Sequence, residues 1–314
     1  MSLTGNVTAV LGGGLAPSLG KKGTVSDVTL YNHKTGDCVL SFVEPSGYPE
    51  KVQPLVSSLN MADQVVLRIG EVNSYLAETI VALDAAQIGA GLVVLGDGIS
   101  EDVFKSLIKD SIISTYPVVE NQVVLLRERL ARPNFDRPGE AIILVDHSFP
   151  VRGVGTVALG VVKRGVIRKH DEVLLYPGKQ KTIVKSIQVH DTDVPEAVTG
   201  VRVGLAMKDV SPEDLPRGTI ISTDDGIPSA REIEVSASVS RYAPRSVGIG
   251  DVFMANSSLN YINARVEGGS LSPGESGVIR LSLEKELALV GGRVLLLDPG
   301  QRMPRVFGGG QLPE

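Results

Sequence analysis

Three consecutive glycines, Gly12, Gly13 and Gly14, follow an apolar run that ends at Leu11, and Ser18, Lys21 and Lys22 come soon after. A glycine run after a strand presents backbone N–H groups that form a nest for phosphate, and the hydroxyl and ammonium groups add donors. The same residues also read as a plain loop. A second set is basic: Lys163-Arg164 and Arg168-Lys169, with Arg152 upstream. Five such cations suit phosphate contacts with an RNA, which would be strongly salt dependent. They equally suit a strand edge guarded by lysines. Arg241, Tyr242 and Arg245 offer a stacking or clamping group for an RNA stem, or a solvated loop. The four histidines, His33, His147, His170 and His190, lie far apart or on loops and make no HExxH-like pair, so no metal site is expected. The single cysteine, Cys38, excludes a disulfide framework and a Cys-based zinc or iron–sulfur site within one chain.

The elements that must position these groups fall into three segments. The chain has 314 residues, enough for two or three domains, and 42% hydrophobic with 21% charged residues supports a buried core. Up to Asp136 there are 10 Lys/Arg against 15 Asp/Glu; from Arg137 to Asp224, 12 against 11; from Asp225 onward, 9 against 10. An acidic first segment argues against broad nucleic-acid coating but leaves room for local basic patches. No apolar run approaches the ~20 residues of a membrane helix, and the N-terminus lacks the basic n-region of a signal peptide. A cytoplasmic protein is expected.

Residues 1–131 alternate strands and helices. Strands are expected at Val7–Leu11, Asp27–Asn32, Cys38–Val43, Gln64–Ile69, Gly91–Leu95 and Tyr116–Val119. Val52, Leu55, Val56 and Leu59 recur at helical spacing on one apolar face. Ser74 and Ser100 read as N-caps of two more helices, Gly89 as a helix stop, and Val123–Ala131 as a last helix. Such alternation predicts a mostly parallel sheet. Arg132–Glu140, with two prolines, reads as a linker. Beyond it the helical period vanishes, and short apolar runs separated by turn residues follow at barrel-like spacing, with a second break at Thr223–Ser229.

One stretch is specific. Phe149-Pro-Val-Arg-Gly-Val-Gly-Thr-Val-Ala-Leu-Gly160 leads into Gly165 and Asp171-Glu172-Val173; Ala197-x-x-Gly-x-Arg-Val-Gly-Leu205 and Asp209-Val-x-x-Glu-Asp-Leu-Pro-Arg-Gly218 follow in order. This resembles domain II of the elongation factor Tu / elongation factor 1A superfamily, and Arg202 with Ile187-Gln-Val-His190 looks most like the SelB-type branch. A weaker match to domain III runs through Ser272-Pro-Gly-Glu and Gly277–Ala288. The resemblance implies α/β plus all-β architecture: a Ras-like, mostly parallel sheet domain (1–135) followed by two β-barrel domains (136–224 and 225–314). It leaves no residues for the appended RNA-reading domain of many SelB-type factors.

The resemblance also implies a GTP- and magnesium-binding first domain, which the residues do not reproduce. Counting G-x-x-x-x-G-K-[ST] from Gly12 puts Pro17, Ser18 and Leu19 where Gly, Lys and Ser/Thr belong. Counting from Gly14 is one residue too long to reach Gly20-Lys21. The helix expected after this loop is absent from the pattern as well, so its fixed positive dipole end is not expected. D-x-x-G-H becomes Glu44-Pro-Ser-Gly47-Tyr48, and N-K-x-D becomes Gly96-Asp97-Gly98-Ile99. Each charge-assisted bond lost is worth about 1.5–3 kcal/mol, so two at the base cost about 10²–10⁴ in affinity.

What remains is a nucleotide-site remnant of Gly12, Gly13, Gly14, Ser18, Lys21 and Gly47, with Glu44 and Tyr48 as degenerate catalytic positions and no catalytic residue or cofactor expected. GTP and magnesium enter only if the first domain is still active. In domain II, the family's aminoacyl-end pocket corresponds to Asp146, His147, Phe149 and Arg202. Arg202 either faces an anionic ligand there or pairs with Asp146 as a staple. The implied partners are tRNA or the ribosome, with no membrane. The leading expectation is a SelB-like factor that binds RNA and has lost GTP hydrolysis. An unusual active GTPase factor and a non-catalytic scaffold stand as alternatives.

Overall fold

A computed structural model describes residues 3–132, 135–290 and 292–312, so part of the expected linker lies outside the described residues. The first unit is built from β1 (Thr4–Leu11), α1 (Ala16–Leu19), β2 (Lys21–Val25), β3 (Thr29–Thr35) and β4 (Cys38–Glu44). It continues with α2 (Gln53–Met61), β5 (Gln64–Ile69), α3 (Ser74–Ala86), β6 (Gly91–Leu95), α4 (Glu101–Ile108), β7 (Val118–Val119) and α5 (Val123–Ala131). Its sheet runs β2-β3-β4-β1-β5-β6-β7, with β4, β1, β5, β6 and β7 parallel and the β2–β3–β4 edge antiparallel. The parallel strands are continuous apolar runs because helices cover both faces.

Several boundaries differ from the sequence reading. Asn73, not Ser74, caps α3: its extended backbone lets the side chain accept from the N–H groups of Tyr75 (3.1 Å) and Leu76 (3.0 Å). That helix ends at Ala86, with Gln87 taking the left-handed conformation (φ 50°) ahead of Gly89. Tyr116 precedes rather than starts β7 and is buried under β6. The strand expected from Asp27 begins at Thr29, and a strand at Lys21–Val25 was not foreseen.

The second unit comprises β8 (Ile142–Val151), β9 (Gly155–Arg164), β10 (Val166–Arg168), β11 (Glu172–Tyr176), β12 (Gln180–Val189), β13 (Thr192–Val194), β14 (Glu196–Val198), β15 (Arg202–Met207) and β16 (Ile220–Ser222). Its main sheet runs β11-β16-β8-β9-β15-β12-β13, and pairing of β11 with β12 brings its ends together. The third unit holds β17 (Ser229–Val239), β18 (Val252–Ser257), β19 (Asn260–Gly268), β20 (Ser276–Ala288), β21 (Arg293–Leu297) and β22 (Val306–Gln311), closed as a barrel in the order β17-β20-β19-β18-β21-β22. Alternation of buried and exposed residues from Glu232 to Val239 of β17 shows one face turned to the barrel core.

The apolar interior crosses between units. One buried cluster joins Val7, Val43 and Met61 of the first unit to Leu144 and Ile220 of the second and Leu259 and Ala288 of the third. Another joins Leu295, Leu297 and Val306 to Leu55, Leu59 and Leu83.

Candidate functional site

The glycine loop lies at the carboxyl end of β1. Gly12, Gly13 and Gly14 all have positive φ (88°, 74° and 75°), and a Cβ on Gly12 would stand 1.8 Å from the Arg68 carbonyl, so only glycine fits there. The structure corrects the expected absence of a helix: one turn, Ala16–Leu19, follows the loop, with Pro17 in its first turn and no side-chain cap. Leu19 is buried, and the Ser18 hydroxyl donates back to the Leu15 carbonyl at 2.7 Å. Arg127 of α5 ties off the Ser18 (2.8 Å) and Leu19 (3.0 Å) carbonyls. Lys21 and Lys22 are not in the loop. They sit exposed on β2, opposite Asn32 and Tyr31 of β3.

A cavity of about 790 Å³ opens beside this loop, and its charged walls are Glu44, Arg68 and Glu71. The balance is one negative charge in excess, opposite to what a polyphosphate needs. Glu44 accepts from the Tyr31 hydroxyl (3.2 Å), while Gly47 donates its N–H to the Asp27 carbonyl (2.9 Å). The Tyr48 hydroxyl donates to the Tyr75 carbonyl (2.8 Å), and burial pushes its ionisation further above the ordinary phenol value, so it stays neutral. Ile99 packs onto the core cluster rather than facing a ligand, and Asp97 beside it is exposed.

In the second unit Arg202 makes a bidentate pair with Asp146, Nε to Oδ2 at 2.9 Å and Nη2 to Oδ1 at 2.8 Å, with side chains only 12% and 6% exposed. This is the staple geometry of the two open readings: the guanidinium charge is already matched. Asp146 reaches it from an irregularity in the β8–β9 register between Val145 and His147. His147 is exposed, its ring 5.8 Å from Phe149. Phe149 and Arg202 line a cavity of about 530 Å³ between this barrel and the β2–β4 edge, where Gly23, Thr24 and Asn32 form the opposite wall; His147 is not on it.

The five expected RNA-contacting cations do not form one patch. β9 carries Lys163 and Arg164 at its far end, about 30 Å along the strand from the hairpin that holds Arg152. Lys163 corrects the expectation outright. Its ammonium is directed inward, donating to the carbonyls of Met61 (3.0 Å) and Ala62 (3.1 Å) and to Asp63 (3.3 Å). Arg164 donates to the Glu140 carbonyl (3.0 Å) and to Asp224 (3.1 Å), and Arg168 pairs with Glu196 at 3.2 Å. Arg152 and Lys169 are exposed and have no acidic partner within 4.0 Å among the described residues.

The polar groups that the sequence reading missed lie in the seams between units. Asp63, fully buried, receives Lys163, Arg137 (2.9 Å) and the Val7 N–H (3.0 Å). Burial pushes its carboxyl upward, but Lys163, the Val7 N–H and Arg137 together hold it below the usual carboxylate value. Burial pushes Lys163 the opposite way, down, against the pull of Asp63. On the other side of α2, Glu78 of α3 is fully buried and accepts from the backbone N–H (2.6 Å), Nε (3.1 Å) and Nη2 (2.7 Å) of Arg305. The same guanidinium donates to the carbonyls of Pro49 (2.9 Å) and Glu50 (3.3 Å). Tyr261 donates to the Gln53 carbonyl (2.7 Å) and meets the Ser57 hydroxyl (2.8 Å), and Asn60 donates to Asn256 (2.6 Å). Ser57 and Asn60 lie three residues apart on one side of α2 and are both buried, yet two polar residues at this spacing do not by themselves announce a packed surface.

Comparison with known proteins gives concordant findings. Residues 155–222 match the model of the family described as elongation factor Tu domain 2. An uncharacterized protein of Methanocaldococcus jannaschii is 37% identical over 302 residues, 95% of this chain and 96% of that one. The selenocysteine-specific elongation factor of the same organism is 41% identical over 81 residues, 26% of this chain and 17% of its own length. Elongation factor 1-alpha of Methanosarcina acetivorans is 31% identical over 118 residues, 37% of this chain and 28% of its length. Among solved structures, translation elongation factor SelB from Methanococcus maripaludis, in complex with the GTP analogue GppNHp, superposes with a TM-score of 0.82 at 19% identity. The match covers 100% of this chain and 80% of that one, a likeness of fold.

Proposed function

Because the chain belongs to the SelB-like branch of the elongation factor Tu superfamily, we propose that it binds tRNA or ribosomal RNA through its two barrels in one fixed arrangement of its units, without a GTP-driven switch. The observation that carries this reading is the grip of Arg305. The segment Glu44–Tyr48, which occupies the D-x-x-G-H position, runs directly into Pro49 and Glu50, whose carbonyls are held together with the neighbouring Glu78 by one guanidinium of the third unit. Moving this segment around a γ-phosphate would strip the Arg305 guanidinium, which is paired with buried Glu78, of two carbonyl acceptors.

The loop end supports the same reading. It brings no lysine to a phosphate, its small hydroxyl is bonded to its own turn, and the adjoining cavity carries excess negative charge. These residues do not fit a magnesium–triphosphate. The RNA contacts fall to Arg152, Lys169 and the rim around Phe149, with exposed Tyr242 on the third unit beside Arg241 (guanidinium 5.2 Å from the ring centre), whose charge is shared with Asp110 at 2.9 Å. Among the described residues no helix is long and apolar enough to cross a membrane.

Two titrations of the full chain test the proposal. Fluorescent GTP, GDP and ATP with Mg²⁺ are expected to show no micromolar binding; saturable micromolar binding of any of them would overturn the loss of the nucleotide site. Bulk tRNA and rRNA in filter binding are expected to associate at low salt and dissociate steeply as salt rises. No association at low salt would leave an interaction scaffold.

A further inference from the structure

We propose that the cavity where the three units meet, walled by Arg137, Lys163, Arg164 and Arg293, binds a small phosphate-bearing anion. The cavity measures about 450 Å³, within the range of small-ligand sites, and draws its walls from between residues 60 and 90, 135 and 164, and 257 and 293, with Ile220.

Charge on the cavity wall is unbalanced. Four cationic side chains line the cavity and one carboxylate does, Asp63. That carboxylate already receives Arg137, Lys163 and the Val7 N–H. Lys163 gives its other hydrogens to the Met61 and Ala62 carbonyls, and Arg164 shares Asp224 outside the cavity wall. Arg293 has no carboxylate within 4.0 Å among the described residues. Its one acceptor there is the Ala86 carbonyl at the end of α3, 2.5 Å from Nη1. Burial, and then the positive charge of Arg137, make its protonated form less favourable than usual, yet a guanidinium does not give up its proton. An anion in the cavity would relieve that repulsion.

The donors are also accessible. The sealed side-chain polar atoms without partners among the described residues are Nε and Nη2 of Arg217 and Oγ of Ser229, none of which lines this cavity. Arg137 and Arg164 keep 39% and 38% of their side-chain surface exposed, so part of each guanidinium faces solvent at the cavity mouth. Planar guanidinium forks match phosphate oxygens in pairs. Phe135, with the Arg137 guanidinium 5.8 Å from its ring centre, adds an apolar rim. The recess between units suits a free phosphorylated compound rather than the backbone of an RNA helix.

Inorganic pyrophosphate is the probe, added to the full chain and followed by calorimetric titration and thermal unfolding against sodium chloride of equal ionic strength. Expected are saturable binding near one per chain and a rise in melting temperature absent from the chloride control. Arg293→Gln and Arg164→Gln should each weaken binding by tenfold or more, while Lys34→Gln, exposed on β3 and absent from the cavity wall, leaves it unchanged. Arg164 lies at the rim, with 38% of its side chain exposed, so its variant decides the matter if Arg293→Gln does not fold. No saturable binding, or equal affinity in wild type and a folded Arg164→Gln, overturns the proposal.

Discussion

The loop at Gly12–Leu19 and the seams around α2 and α3 handle polar groups in opposite ways. At the loop, lysines point into solvent from β2, a hydroxyl closes on its own backbone, and Arg68 reaches Gly13 only at 3.4 Å. In the seams, Asp63 and Glu78 are fully buried and each is shared by several donors from another part of the chain. The contrast teaches where specificity resides. A buried charge left without its partner is heavily destabilising, so seams made this way admit one docking geometry. A loop with exposed, weakly bonded polar groups constrains little.

Glu78→Ala is the strongest way to break that contrast. It leaves the Arg305 guanidinium buried and unmatched and should lower the unfolding free energy by about 3–5 kcal/mol, read from urea denaturation. A loss below ~1 kcal/mol would mean that the seam is no tighter than the surface. Asp63→Asn comes next, at roughly 1.5–3 kcal/mol at neutral pH, because the amide still accepts from the Val7 N–H but no longer matches two cations. Its pH dependence has a definite sign. The Asp63 carboxyl is held below its ordinary value of 3.8, so its contribution is complete above that value and is lost as the pH falls through the depressed folded value. The stability gap between wild type and Asp63→Asn should therefore close in acid, below about pH 4. A gap that stayed constant to pH 2 would remove the ionised carboxylate from the account. The smallest effect is expected at the loop: Arg68→Ala should stay within about 0.5 kcal/mol of wild type. A larger loss there would erase the contrast from the other side.

Much of the fold was legible because apolar runs of strand length bounded by turn residues leave few choices. Gln64–Ile69, Gly91–Leu95 and Val123–Ala131 match their expected limits. The strand at Lys21–Val25 was not legible: it is an edge element with mostly exposed side chains and no alternation to detect. Within the candidate site, Phe149 and Arg202 were found together on one cavity, whereas Lys163 was misread. A lysine at a strand end looks solvated, and only the fold brings the α2 terminus beneath it. Glu78 and Arg305, 227 residues apart, carry no local sign of each other. The apolar stripe of α2 was visible as one face; its polar side gave no warning that a second surface lay against it.

The cluster that runs from Val7 through Met61 and Leu144 to Leu259 has a practical corollary. Among the described residues, each unit's apolar surface is completed by the other two. A fragment ending near Ala131 would expose to water the aliphatic groups that Leu144, Ile220 and Leu259 now cover, inviting self-association in place of solubility. Dissection by truncation would then report on the damaged surface rather than on the role of the removed part.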